Sequence, residues 1–236
     1  MKVIKLLFTL ILSILFLFPA PKAEAGILGE IVDFIGDMGK DPKEVAEKHA
    51  DEILDALWKS AVLMEESKLC IAEALELDPR EIAASQASIR AMTSDRHDLN
   101  AIRQSTYNSI SEDELRVKTA QLLSIEDQVR YDQINRLLQK SKDARTAAHA
   151  YNIGAIGRIT QATIHINRID GSDEDQLRQV AQHLSARINE AKKLLQIQKQ
   201  QSEMFHEVLE DLEERWNIKE PSKAEQQKIE REILPE

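Results

Sequence analysis

The chain has 236 residues, with 31 lysines and arginines against 41 aspartates and glutamates, a formal charge of -10. That excess of acid argues against a nucleic-acid binder, which needs basic residues to neutralise phosphates, and 42% hydrophobic residues argue against wholesale disorder. Seven glycines, six prolines and 4% aromatics are too few for an all-β chain with many turns.

Met1 to Ala25 reads as a secretory signal peptide. Lys2 and Lys5 form a positive start, Leu6 to Phe18 an apolar core, and Ala23-Glu24-Ala25 a small-x-small cleavage site before Gly26. The apolar core is short of the roughly 20 residues that span a bilayer. Cleavage at Ala25-Gly26 implies a periplasmic or secreted protein; an uncleaved anchor is the alternative. Ile27, Leu28, Ile31, Phe34, Ile35 and Met38 then recur at helical spacing, with Glu30, Asp33 and Asp37 between them. An interfacial membrane helix usually carries basic residues on its polar face, so this acidic face reads instead as packing onto the protein's own bundle.

Asp41-Pro42-Lys43-Glu44 and Asp78-Pro79-Arg80-Glu81 are two helix starts written in the same chemistry. Each has an Asp N-cap, a Pro where no helical N–H acceptor exists, and an acid in the positive first turn. They predict helices over 42–77 and 79–106. Ile53, Leu54, Leu57, Trp58, Ala61, Val62 and Met64 give the first a broad apolar stripe; Ile82, Ile89, Met92, Leu99 and Ile102 give the second a thinner one. Ser111 and Glu114 form a capping-box pattern, and the apolar period that follows predicts one helix over 112–169, bent at Gly154 and Gly157.

After a turn at Asp170-Gly171-Ser172, the spacing predicts a helix over 173–216 with a coiled-coil seam. Its positions are Leu177, Ala181, Leu184, Ile188, Ala191, Leu195, Gln198, Ser202, Phe205, Leu209, Leu212 and Trp216. Gln198 and Ser202 interrupt the apolar line, either as register-setting residues or as a defect facing water. Residues 217–236 read as a charged C-terminal tail.

Chemistry is sparse. Glu203 and His206 have the Glu-x-x-His spacing of di-iron bundles, but no other histidine has a glutamate three residues before it, so no metal site and no cofactor are expected. Gly154 and Gly157 sit in a helical context rather than in a phosphate loop after a strand. Cys70, the single cysteine, shares a seven-residue register with Ala56, Leu63 and Leu77 and reads as a buried hydrophobe, with an intermolecular bridge as the alternative. No residue pattern points to catalysis.

From Gly157-Arg158-Ile159-Thr160-Gln161-Ala162 onward, a family pattern emerges. A small-residue-rich helix leads to Asn167, followed by Gln176-Leu177 and a glutamine-rich heptad helix reaching Gln196, Gln198, Gln200 and Gln201. Over about residues 144–205 this resembles the C-terminal half of the periplasmic pilus-associated, minor pilin-like proteins of conjugal transfer and type IV secretion systems. The resemblance implies a cleaved signal, a mostly helical fold and a place in a secretion assembly. No functional residue is carried over from it.

The expected fold is therefore all-α: an elongated bundle over 26–216 whose two long helices form an antiparallel hairpin of coiled-coil character. The expected function is non-enzymatic, through protein partners that are either assembly components or further copies of the chain, with no nucleic acid. A helical pore-former or membrane-interacting protein using residues 27–38 is the first alternative, and an exported metal binder or enzyme the second.

Overall fold

The computed structural model describes residues 41–96, 98–108, 110–123, 131–170 and 175–235. The signal segment and the 27–38 segment lie outside the described residues. Among those described there are seven α-helices and no strand: α1 Pro42–Ala74, α2 Pro79–Ser94, α3 Leu99–Tyr107, α4 Glu112–Leu123, α5 Tyr131–Asp170, α6 Asp175–Arg215 and α7 Lys223–Ile233.

The two Asp-Pro starts form as their chemistry dictates. Asp41 Oδ1 accepts the Lys43 N–H at 2.9 Å, and Asp78 Oδ1 accepts the Arg80 N–H at 2.9 Å. The Arg80 side chain also donates to Asp78, and that hydrogen bonding holds the Asp78 carboxyl down to about 2. α1 ends before the expected residue 77. Glu76 takes a left-handed φ of 50°, Leu77 N–H bonds back to Ala72 O at 2.9 Å, and Leu77 itself is buried. This is a Schellman stop. α6 ends the same way, with Asn217 at φ 52° and the Ile218 N–H on Glu213 O at 2.9 Å.

The span 79–106, expected as one helix, is two. The Trp58 indole N–H donates to Met92 O at 2.8 Å, satisfying one of the carbonyls that α2 leaves open at its end. Thr93 and Ser94 bond back to the carbonyls of Ile89 and Ala91, and Asp98 Oδ1 caps a new helix through the Asn100 N–H at 2.8 Å. Of the span 112–169, α4 and α5 cover all but residues 124–130, which lie outside the described residues. The Ser111 hydroxyl accepts the Glu114 N–H at 3.5 Å, and α5 continues helical through Gly154 and Gly157. Residues 217–236, expected as a tail, hold α7. Its start is a full capping box, Ser222 N–H to Glu225 Oε2 at 2.7 Å and Glu225 N–H to Ser222 Oγ at 3.3 Å. Ile229 is buried and the Tyr151 hydroxyl donates to Glu230 at 3.0 Å.

α1 is the centre of the packing and touches α2, α3, α5, α6 and α7. It is apolar on nearly every side from Ile53 to Met64, the pattern of a helix enclosed by others. Its largest contact is with α5. Cross-links between the two run in antiparallel order: the His49 and His165 rings lie 6.0 Å apart, Glu52 pairs with Arg158 at 3.0 Å, and Ser67 meets Ser141 at 2.8 Å. The core divides into two apolar clusters along α1. One gathers Ile53, Leu57 and Trp58 with Ile159, Leu184 and Leu195; the other gathers Leu63, Ile71 and Leu138 with Phe205, Leu209 and Trp216.

Candidate functional site

The α6 seam is folded into these clusters within one chain. Ala181, Leu184, Ile188, Ala191 and Leu195 are buried in the first, and Phe205, Leu209, Leu212 and Trp216 in the second; Leu177 is half-buried at the margin. The two polar interruptions part company. Ser202 is half-buried at a groove, whereas Gln198 is 1% exposed and lies where the apolar clusters meet. Gln198 Oε1 accepts the Ser60 hydroxyl at 2.7 Å, and its Nε2 donates to Thr106 Oγ1 at 3.3 Å. One turn on, Gln201 Nε2 donates to Thr106 O at 2.7 Å, a carbonyl at the open end of α3. The layer ties α1, α3 and α6 at one height. A slip of any helix would leave several buried polar atoms unpaired, each costing about 1–3 kcal/mol.

Beside this layer lies a buried ion pair that the apolar periodicity of α1 does not reveal. Lys68 and Glu65, about one turn apart on α1, have side chains 2% and 1% exposed. The Lys68 ammonium uses all three of its N–H groups: on Glu65 Oε1 at 2.5 Å, on Ser105 O at 3.0 Å and on Asn108 O at 2.9 Å. The Ser105 hydroxyl donates to the same Glu65 oxygen at 2.8 Å. The two carbonyls belong to the end of α3 and the residue capping it, so the pair doubles as a helix C-terminal cap.

A second charged cluster lies between α5 and α6 and borders a groove of about 280 Å³. Arg145 and Lys142 share the buried carboxylate of Glu213; Arg145 Nη2 pairs with Glu213 Oε1, and Lys142 Nζ lies 3.0 Å from Glu213 Oε2. Lys142 Nζ also lies 2.8 Å from Glu220, whose side chain is 70% exposed. Gln139 holds that stretch in place by bonding both the N–H and the carbonyl of Lys219, at 3.0 and 2.9 Å. Burial pulls the Lys142 ammonium down, but its bonds to Glu220 and Glu213 more than offset this and its pKa is raised. The groove is completed by Thr146, His149, Ser202, Glu203 and His206. Glu203 and His206 thus do share one face, joined by His149 from α5, but the Glu203 carboxylate pairs with Lys199 at 3.6 Å. Among the described residues no group of three His, Cys, Asp or Glu is placed to hold a metal ion.

The other histidines are scattered: His49 and His165 are buried between α1 and α5, His183 is exposed on α6, and His97 lies outside the described residues. Cys70 is 2% exposed, and burial, with Glu66 adding to it, pushes its thiol up to about 12. Such a thiol is protonated and inert at neutral pH. On the outer side of α5, Ile153, Ile156 and Ile164 are 59%, 44% and 38% exposed, and no acidic residue occurs between Asp143 and Asp170. The span thus carries arginines (Arg145, Arg158 and Arg168) but no acid, in a chain of formal charge -10. No described helix is long and apolar enough to cross a membrane. The chain matches no protein-family model, no curated protein and no solved structure.

Proposed function

We propose that the chain is exported by its N-terminal signal, with cleavage after Ala25, and acts without catalysis through protein–protein contacts, as a component of a conjugal transfer or type IV secretion assembly. The observation that carries the contact reading is the α5 face. Three exposed isoleucines at helical spacing, with exposed Thr160 between them and no acid within the span, form a surface of the kind that partners cover. The same helix carries the first part of the stretch, about residues 144–205, that resembles the pilus-associated proteins. In this reading α5 and α6 act as an antiparallel hairpin of coiled-coil character; the four–three seam spacing supports it, as do the Arg145–Glu213 pair and the Asn135 side chain on Trp216 O at 2.8 Å. The hairpin would present the α5 face outward and keep the seam for the chain's own core.

Two measurements test this. N-terminal sequencing of the exported protein should begin at Gly26, and a start at Met1 would remove the export claim. In a donor cell whose transfer system includes this chain, deleting its gene should lower conjugal transfer, with wild-type protein restoring it and Ile156→Lys failing to do so. Full transfer frequency in the deleted donor would sink the assembly reading.

A further inference from the structure

Lys142 and Arg145 are two cations on one buried carboxylate. Glu213 is 4% exposed and serves both, while the second partner of Lys142, Glu220, reaches it from a side chain that is mostly in water. Lys142 therefore spends two of its three N–H groups, one of them on an exchangeable partner. Arg145 is 5% exposed and one of its guanidinium nitrogens, Nη1, is buried with no hydrogen-bond partner among the described residues. Both cations border the groove, which also offers the Ser202 hydroxyl and the imidazoles of His149 and His206. The acid on that wall, Glu203, is 62% exposed and drawn off by Lys199.

Both cations thus keep N–H groups that no partner among the described residues takes, and one of the carboxylates that Lys142 does hold, Glu220, lies mostly in water at a solvent-facing groove. We propose that this groove is a carboxylate-binding site, in which an incoming carboxylate takes the place of Glu220 on Lys142. The geometry favours a carboxylate over other anions because the occupants already seated on Lys142 and Arg145 are both carboxylates. The inference goes beyond the assembly reading and does not depend on it. An acidic side chain and the C-terminus of a polypeptide present the same group, and the two sources are separated by the choice of probe.

The test is titration of the full chain, followed through the imidazole proton resonances of His149 and His206. The probes are an acetylated and amidated aspartate, an acetylated but C-terminally free glycine, and inorganic phosphate. Saturable shifts with one or both carboxylate probes are expected, and the tighter of the two identifies the source. Glu220→Gln removes the resident competitor and should tighten binding several-fold. Lys142→Met should weaken it by about tenfold or more, the value of a charge-assisted hydrogen bond. Ser202→Asp brings its own carboxylate to the groove, so it should abolish probe binding while raising the melting temperature. Lys193→Met, on a different part of α6, should leave binding unchanged. The proposal fails if neither carboxylate shifts the two histidines in the Glu220→Gln protein, if phosphate binds more tightly than both, or if Ser202→Asp melts lower than wild type.

Discussion

Two lysines, Lys68 and Lys142, are both withdrawn from water and both held by glutamates, yet their surroundings differ in one respect. Lys68 is closed: a carboxylate and two backbone carbonyls absorb its three N–H groups, and the Ser105 hydroxyl supports the carboxylate. Lys142 is open: it shares Glu213 with Arg145 and reaches for a glutamate in solvent. A buried charge with every donor spent can only hold helices together. A partly buried charge with donors to spare beside a groove is equipped to receive something. The difference lies in who supplies the partners, since helix-end carbonyls cannot leave and a surface carboxylate can.

The comparison predicts unequal costs. Lys68→Met strands Glu65 as a buried charge and should destabilise the chain by about 3–5 kcal/mol in denaturant melts, against about 1–2 kcal/mol for Lys142→Met, where Arg145 still pairs Glu213. Adding Glu65→Gln to Lys68→Met should recover part of the loss, because the stranded charge disappears. Equal costs at the two lysines would erase the distinction between closed and open sites.

The α6 seam gives the next contrast. Leu195 is fully buried, so Leu195→Asp should cost several kcal/mol, whereas exposed Lys193→Asp should cost well under about 1 kcal/mol. Equal melting temperatures would mean that the α6 seam faces outward. Asp41→Ala, which removes the cap of α1, should cost about 1 kcal/mol.

Cys70 sharpens the picture through pH. Its thiol ionises at about 12 in the folded chain against 9.0 for a free thiol, so between those values the unfolded state loses a proton that the folded state keeps. Stability contributed by the thiol should be present below pH 9.0 and fall as pH rises toward 12, and the difference between wild type and Cys70→Ala should track that window. A flat difference would place Cys70 in water. The smallest effect belongs to Ile156→Lys, on the exposed α5 face, which should leave the melt within about 0.5 kcal/mol of wild type.

What was legible in the sequence was local or periodic. The Asp-Pro starts at 41 and 78 are complete within four residues, and the α6 seam repeats often enough to announce its buried side. The break between α2 and α3 was not legible, because it is capped by Trp58 from another helix. The seam pattern marked Gln198 and Ser202 alike. Only the position of Ser60 and Thr106 makes one a buried bridge and leaves the other at a groove. The groove itself was half visible as Glu203 and His206; its cations come from α5, whose facing side depends on packing. α7 was hidden by its charge, although Ser222 and Glu225 spell a capping box and Ile229, Ile233 and Leu234 follow at helical spacing. Composition outweighed pattern there, and pattern was the better guide.

The central place of α1 sets a schedule for folding. It leaves the ribosome early, yet Ser67 meets Ser141 and Ser60 meets Gln198, partners 74 and 138 positions further along. At about 5–20 residues per second, an apolar helix waits on the order of ten seconds for the surfaces that enclose it. Contacts of such separation slow folding further, since each must close a long loop before it yields any stability. The helix that organises the finished bundle is thus its chief aggregation hazard during synthesis, for as long as α5 and α6 are still unmade.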